Sequence, residues 1–281
     1  MKLDPERLMR LRMPAREAAY DERETMLYAL AVGLGNSAAA ADLRFVYEPA
    51  LCAVPSFASV LAFDDSWLEA GGIDLRQVVH GALDLRFAAP LRPAGSVDVV
   101  ARVVGLGDKG AGRGGLVFQE SILTQEGRTA CTVLSTLFAR GAGGFGGSVG
   151  SQLDAATLPA GEPGEGSEVA TAANQALLFR LLGDRNPLHA DPEVAKAAGF
   201  AGPILHGACT FGIACAEVLR RFCGRDPARL VRFAARFAGP LYPGETLRFG
   251  FWHMAAGIAF RAYAEGRGAV VLDNGLAVLA A

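Results

Sequence analysis

Residues 87–93 read Phe-Ala-Ala-Pro-Leu-Arg-Pro, and residues 237–243 read Phe-Ala-Gly-Pro-Leu-Tyr-Pro. The blocks agree at five of seven positions and lie 237 − 87 = 150 residues apart. The same offset sets Gly183 over Gly33 and Asn186 over Asn36. Self-similarity at a fixed offset is the mark of a duplicated unit. Each copy also repeats one order of textures. In the first, Asp21–Leu34 reads as a helix, with Asp21 as N-cap and Glu24 at the capping-box position. The apolar run Pro55–Phe63 then suits a buried helix, and strand-like sequence fills Ala82–Arg140. Within it, Ser96–Val104 is rich in valine, and Leu116–Thr124 and Thr129–Phe138 flank the turn Gln125-Glu126-Gly127-Arg128 as a hairpin. In the second copy, Thr171–Leu182 reads as a helix with Ala172, Leu177, Leu178, Leu181 and Leu182 apolar. His206-Gly207 opens another helix, in which Phe211, Cys215, Val218 and Phe222 recur at helical spacing. Ile258–Tyr263 and Ala269–Leu272 then flank a Glu265–Arg267 turn. Residues 1–15 are charged and read as a loose lead-in, and Gly141–Pro163 is a Gly/Ser/Ala/Pro-rich join. The division is residues 1–145, a linker at 146–166, and residues 167–281.

The chain has 281 residues, 51% hydrophobic and 20% charged, which suits a packed globule. A formal net charge of −2 supplies no basic field for nucleic acid. The first residues are too charged for a secretory signal, and no apolar run is long enough to span a membrane. The five cysteines form no C-x-x-C pair and read as free buried thiols, so a cytoplasmic location is expected.

The chemistry concentrates in Gly183–Gly207, GDRNPLHADPEVAKAAGFAGPILHG. Asp184 and His189 stand five residues apart across Pro187, which prevents helix continuation, so a turn can aim both into one pocket. Gly207 begins a helix, where unpaired N–H groups and the positive dipole end can receive an oxyanion. Acid, base and oxyanion site thus share one short segment, with Asn186 placed to orient the pair or a water. Carried back by the 150-residue offset, Asp184 falls on Leu34 and His189 on Ala39. The first copy keeps the turn and lacks the ionisable pair, so one catalytic site per chain is expected.

The string G-D-x-N-P-L-H followed by a helix opening at H-G resembles the signature of the MaoC-like (R)-specific enoyl-CoA hydratases, also called hydratase 2. The similarity extends through YDERETMLYALAVG (20–33), DLRFVYEPALCAVPSF (42–57), His80-Gly81, GDKGAG (107–112), RGAGGFGG (140–147) and RFAGPLYPGETL (236–247). This resemblance implies an α+β double hotdog, two tandem repeats that each wrap an antiparallel sheet round a central helix. It implies reversible hydration of trans-2-enoyl-CoA to (3R)-3-hydroxyacyl-CoA, as in fatty-acid β-oxidation, with Asp184, Asn186, His189 and Gly207 catalytic. Contacts to the acyl-CoA thioester would come from His80, Gly81, Lys109, Arg185, Pro187, Leu188 and Phe237. No metal or separate cofactor is expected, coenzyme A being part of the substrate, and a homodimer is expected by analogy. From the residues alone, Lys109 is equally a solvated loop charge, His80 a turn residue and Phe237 a core strand residue. Leu182 departs from the family, which often has Ser or Thr before Gly-Asp.

Competing motifs lack their physical context. Gly105-x-Gly-x-x-Gly110 and Gly141-x-Gly-x-x-Gly146 open no helix in a βαβ unit. Gly146-Gly-Ser148-Val-Gly150 lies in the join rather than at a strand-to-helix elbow. Asp184-x-Asn186 fails as a calcium loop at Leu188, His189 and Ala195. Four histidines without paired spacing argue against zinc. The alternatives kept open are a dehydratase of short, branched or carboxylated acyl-CoA, a hotdog thioesterase, and a non-catalytic acyl-CoA-binding protein.

Overall fold

β-Branched and aromatic runs, bounded by Gly, Pro and Asp turns, fold into one antiparallel sheet in the computed structural model, which describes residues 2–36, 40–151 and 156–280, with Arg76 as backbone only. The first half supplies β1 Arg16–Tyr20, β2 Val78–Phe87, β3 Gly95–Asp108, β4 Gly115–Gln125, β5 Arg128–Ala139 and the short β6 Val149–Gly150. The second supplies β7 Glu165–Ala170, β8 Leu230–Phe237, β9 Thr246–Met254, β10 Gly257–Ala264 and β11 Ala269–Leu279. Strand order is β1-β3-β4-β5-β2-β8-β11-β10-β9-β7, with β6 on the edge of β3. The two halves are mirror images in this order and meet edge to edge where β2 pairs antiparallel with β8. The hairpin turn carries Glu126 and Gly127 at φ +50° and +73°, the left-handed pair that suits the twist of the flanking strands.

The helices are α1 Pro5–Arg10, α2 Glu22–Ala31, α3 Leu43–Val46, α4 Ala58–Leu61, α5 Trp67–Ala70, α6 Gln175–Phe179, α7 Pro192–Ala197 and α8 Gly207–Phe222. The capping box predicted at Asp21 and Glu24 forms in full at the head of α2. α8, with Cys209 to Leu219 all buried, is the central helix of the second half. Its counterpart in the first half is only a 3-10 turn, Pro55–Phe57, running into α4. A Cβ on Gly212 of α8 would lie 2.5 Å from Val32 Cγ1 and 2.7 Å from the Tyr28 hydroxyl, so glycine there lets α8 approach α2. One apolar core, including Tyr28, Phe57, Phe211, Phe233 and Phe260, runs through both halves. This is the double-hotdog arrangement.

Ion pairs lock the halves together. The buried Asp84 carboxylate accepts two bonds from Arg232 across the β2–β8 seam, at 2.9 and 2.8 Å. Asp42, in the first half, accepts from Arg220 at 2.7 Å and Arg225 at 2.9 Å, while Arg220 also bonds the Gly33 carbonyl at 2.9 Å.

Three expectations change. The lead-in is structured: Asp4 caps α1 with Pro5 at its first position, and Leu3 and Leu8 are buried in a satellite core under β3 and β4. A short capped helix was masked there by its charged neighbours. The helix read over Thr171–Leu182 begins only at Gln175 and tightens to a 3-10 turn at Arg180–Leu182, because Thr171 instead bonds the Glu245 carbonyl and Ala172 N–H bonds Gln175. In the glycine-rich stretch, the Asp108 carboxylate accepts N–H bonds from Gly110, Gly144, Gly146 and Gly147, which hold it well below the usual carboxylate range. Ala39, the counterpart of His189, lies outside the described residues.

Candidate active site

Gly183 ends the turn Arg180–Leu182 with φ +128°, a backbone state that side chains resist, so the helical path stops just before Asp184. The Asp184 carboxylate accepts the Asn186 N–H at 3.1 Å. Asn186 in turn accepts the Leu188 N–H at 3.0 Å, capping the 3-10 turn Pro187–His189. That turn places the His189 ring in the interior, 9% exposed. His189 Nδ1 donates to the Ile204 carbonyl at 2.8 Å. A carbonyl can only accept, so Nδ1 carries the proton and Nε2 presents a bare lone pair.

His206 completes the cluster. It is 1% exposed and caps α8 without a side-chain cap bond. Its Nε2 donates to the Asp184 main-chain carbonyl at 3.2 Å. Its ring stacks on His189 with centroids 3.6 Å apart and planes 25° apart, and the Phe179 ring packs against it, tilted by 43°, at 4.9 Å. Burial holds His189 below the ordinary imidazole value of 6.5, against the pull of the Ile204 bond and the Asp184 charge. His206 is pushed down to about 4, by burial first and then by His189. Two imidazoles in contact cannot comfortably both be charged.

Gly207 is the first residue of α8, where N–H groups have no intrahelical acceptor. Among the described residues its N–H makes no backbone hydrogen bond. The Phe237 ring, at the end of β8, lies 3.3 Å from where a Gly207 Cβ would stand. His80 extends this wall from the first half, 6.4 Å from Phe237 and 6.2 Å from Phe63 between ring centroids. Burial lowers its pKa, and the charges of Asp184 and Asp65, both within electrostatic reach, oppose that. Gly81 follows at an irregularity in the β2–β5 register and packs on Thr136. A separate pocket of about 160 Å³, lined by residues that include Arg16, Tyr20, Glu24, Phe57 and Val60, reaches Leu182, two residues before Asp184.

The structure therefore brings together Asp184, His189, Gly207, His80 and Phe237. Leu188 is half-buried next to them, while Asn186, Arg185 and Pro187 are exposed, the Asn186 oxygen being used as a cap. Lys109 stands apart. His80 pairs with Leu137, Leu137 with Val117, and Val117 with Leu106, so Lys109 lies beyond three strand spacings on the same sheet. That is about 14 Å at ~4.8 Å per strand. His206 was read only as a helix opener; H-G at a helix start was the signal for it.

The spacing argument against paired histidines also fails, because His189 and His206, 206 − 189 = 17 residues apart, meet in space. Donor atoms of Asp184, His189 and His206 all lie within 4.8 Å of one another. However, stacked rings send their in-plane lone pairs side by side, whereas a tetrahedral metal needs them to converge. One nitrogen of each ring is already bonded to a carbonyl.

Residues 19–141 match the family model for the MFE-2 hydratase 2 N-terminal domain, and residues 154–273 match the MaoC-like domain. The chain is 37% identical over 270 residues to 3-hydroxyacyl-thioester dehydratase Y of Mycobacterium tuberculosis, covering 91% of each. It is 33% identical to the peroxisomal enoyl-CoA hydratase 2 of Arabidopsis thaliana, covering 94% of this chain and 92% of the relative. A solved MaoC-like dehydratase from Phytophthora capsici superposes with a TM-score of 0.90 at 29% identity, over 99% of this chain and 98% of the other. The chain belongs to the MaoC-like dehydratase family, in the two-domain form whose first half is the MFE-2 hydratase 2 N-terminal domain.

Proposed function

We propose that this chain catalyses reversible hydration of trans-2-enoyl-CoA to (3R)-3-hydroxyacyl-CoA. The observation that carries the reading is the tautomer of His189: with Nδ1–H held by Ile204, Nε2 is a free base, on a ring that has a nitrogen within 4.8 Å of a carboxylate oxygen of Asp184. One water fits between two such groups. His189 Nε2 takes a proton from that water, and the oxygen bonds to Cβ of the enoyl thioester. The π electrons shift to form an enolate, whose oxygen is received by the Gly207 N–H at the positive end of α8. The imidazolium then returns the proton to Cα on the same face, restoring the thioester. Asp184 orients the water and steadies the transient positive charge. Atoms balance as addition of one water, and the reverse steps are dehydration. The family membership and the enoyl-CoA hydratase and 3-hydroxyacyl-thioester dehydratase relatives support this substrate class. In this reading His80 and Phe237 form one wall for the thioester, Lys109 meets the distal part of coenzyme A, and the acyl tail runs past Leu182 toward the pocket that Leu182 helps to line. A cytoplasmic setting belongs to the same proposal. All five cysteines are free, which supports it, and no helix among the described residues is long and apolar enough to cross a membrane.

The test is crotonyl-CoA with the wild type and with Asp184→Asn, followed by loss of enoyl absorbance and by product mass and chirality. The expected product is the (3R)-hydroxy thioester, formed by the wild type and not by the variant. Free coenzyme A in place of a hydrated thioester would overturn the assignment.

A further inference from the structure

His206 touches the main chain of Asp184, the ring of His189 and the backbone of Gly207. Its Nε2–H holds the main-chain carbonyl of Asp184 at 3.2 Å, and its ring lies flat against His189 at 3.6 Å. It is also the residue before Gly207, so its backbone sets the direction from which α8 begins. Phe179 packs against the ring at 4.9 Å, and the ring is 1% exposed.

Its Nδ1 is buried without a hydrogen-bond partner. An orphaned buried acceptor is destabilising, and an apolar ring would fill the same slot without that cost. What phenylalanine could not supply is the Nε2–H donor to Asp184. His206 does not supply a proton to the reaction, since the Nε2–H is bonded to the main chain and Nδ1 is sealed from solvent.

We propose that His206 is a positioning residue for hydration: its donor fixes the turn that carries the Asp184 carboxylate, its ring fixes the plane of His189, and together they set the water site. This inference rests on the proposed hydratase function. A carboxylate turn released from its donor can drift while the substrate still binds, so the defect falls on turnover.

The test compares wild type, His206→Phe and His206→Gln in crotonyl-CoA hydration, with thermal unfolding as the folding control. His206→Phe keeps the stack and loses the donor; kcat should fall about 10- to 100-fold, the range for a misplacement of up to about 1 Å, with KM little changed. His206→Gln, whose amide N–H can reach the same carbonyl but which has no ring to stack on His189, should recover part of the loss and turn over faster than His206→Phe. Equal activity of wild type and His206→Phe would sink the proposal, as would equal impairment of both variants with KM rising in step. Should His206→Phe not fold, His206→Gln against His206→Asn carries the test, because the shorter amide misses the carbonyl and should lose turnover; equal activity overturns the idea. A wild type that hydrates nothing overturns the proposed function, and this inference with it.

Discussion

Replacing His189 by glutamine removes a base while leaving a polar side chain of similar reach. A well-placed general base is worth about 10²–10⁴ in rate, which is about 2.7–5.4 kcal/mol of barrier at 1.36 kcal/mol per tenfold. The stability cost is smaller and separable. The variant loses one hydrogen bond of 2.8 Å to Ile204. A neutral bond of that kind is worth about 0.5–1.5 kcal/mol. It also loses a ring stack at 3.6 Å on His206. Such a stack adds about 0.5–1.5 kcal/mol. The sum, about 1–3 kcal/mol, corresponds to a fall in Tm of about 2–12 °C at ~2–4 °C per kcal/mol. The assay is kcat/KM on crotonyl-CoA, alongside thermal unfolding of the same preparation. The reasoning predicts a folded protein with turnover down by two orders of magnitude or more. A folded variant within tenfold of wild type refutes it, because the bare Nε2 lone pair would then be idle.

Three further outcomes follow from the geometry. Because burial holds His189 below 6.5, its base form persists into mildly acid solution. The acid limb of kcat/KM against pH should therefore have its midpoint under 6.5, with activity lost as pH falls; a midpoint above 6.5 contradicts the buried base. Asp42→Ala leaves the guanidiniums of Arg220 and Arg225, 17% and 27% exposed, without their shared carboxylate. Breaking a buried pair costs about 3–5 kcal/mol, and the partial exposure of both arginines points to the lower end. An unchanged denaturation midpoint would show that this cross-half clamp contributes nothing. Filling the cavity with Val60→Trp should spare crotonyl-CoA and penalise longer enoyl chains. Excluding two methylenes costs about 1.6 kcal/mol, roughly fifteenfold in kcat/KM. Equal effects at all chain lengths would remove the acyl tail from that cavity.

Much of the fold was legible because duplication is a pattern in the chain itself. The Phe-Ala-x-Pro-Leu-x-Pro blocks follow β2 and β8, the strands that join the halves, and β1 and β7 also stand at corresponding places in the two copies. The capping box at Asp21 and the Glu126-Gly127 turn are local devices, decided within four residues, and both form where they were read. What escaped reading depends on contacts distant in sequence. Thr171 leaves its helix for the Glu245 carbonyl, 74 positions away. His206 matters because a turn 22 residues earlier brings the Asp184 carbonyl to it. No periodicity encodes such a meeting. The tautomer of His189 is likewise set by Ile204, an apolar residue acting only through its main chain. Asn186, expected to orient the pair or a water, gives its own N–H to the Asp184 carboxylate and uses its side-chain oxygen as a cap for Leu188.

The central claim is that Asp184 and His189 add one water across an enoyl double bond and leave the thioester intact. Incubation with crotonyl-CoA in oxygen-labelled water tests this in one spectrum. The account predicts a (3R)-3-hydroxybutyryl-CoA carrying the label at its C3 hydroxyl, with coenzyme A still attached. Label recovered instead in the carboxylate of a free acid would mean that the activated water attacks the thioester carbon, and the hydratase account would be wrong.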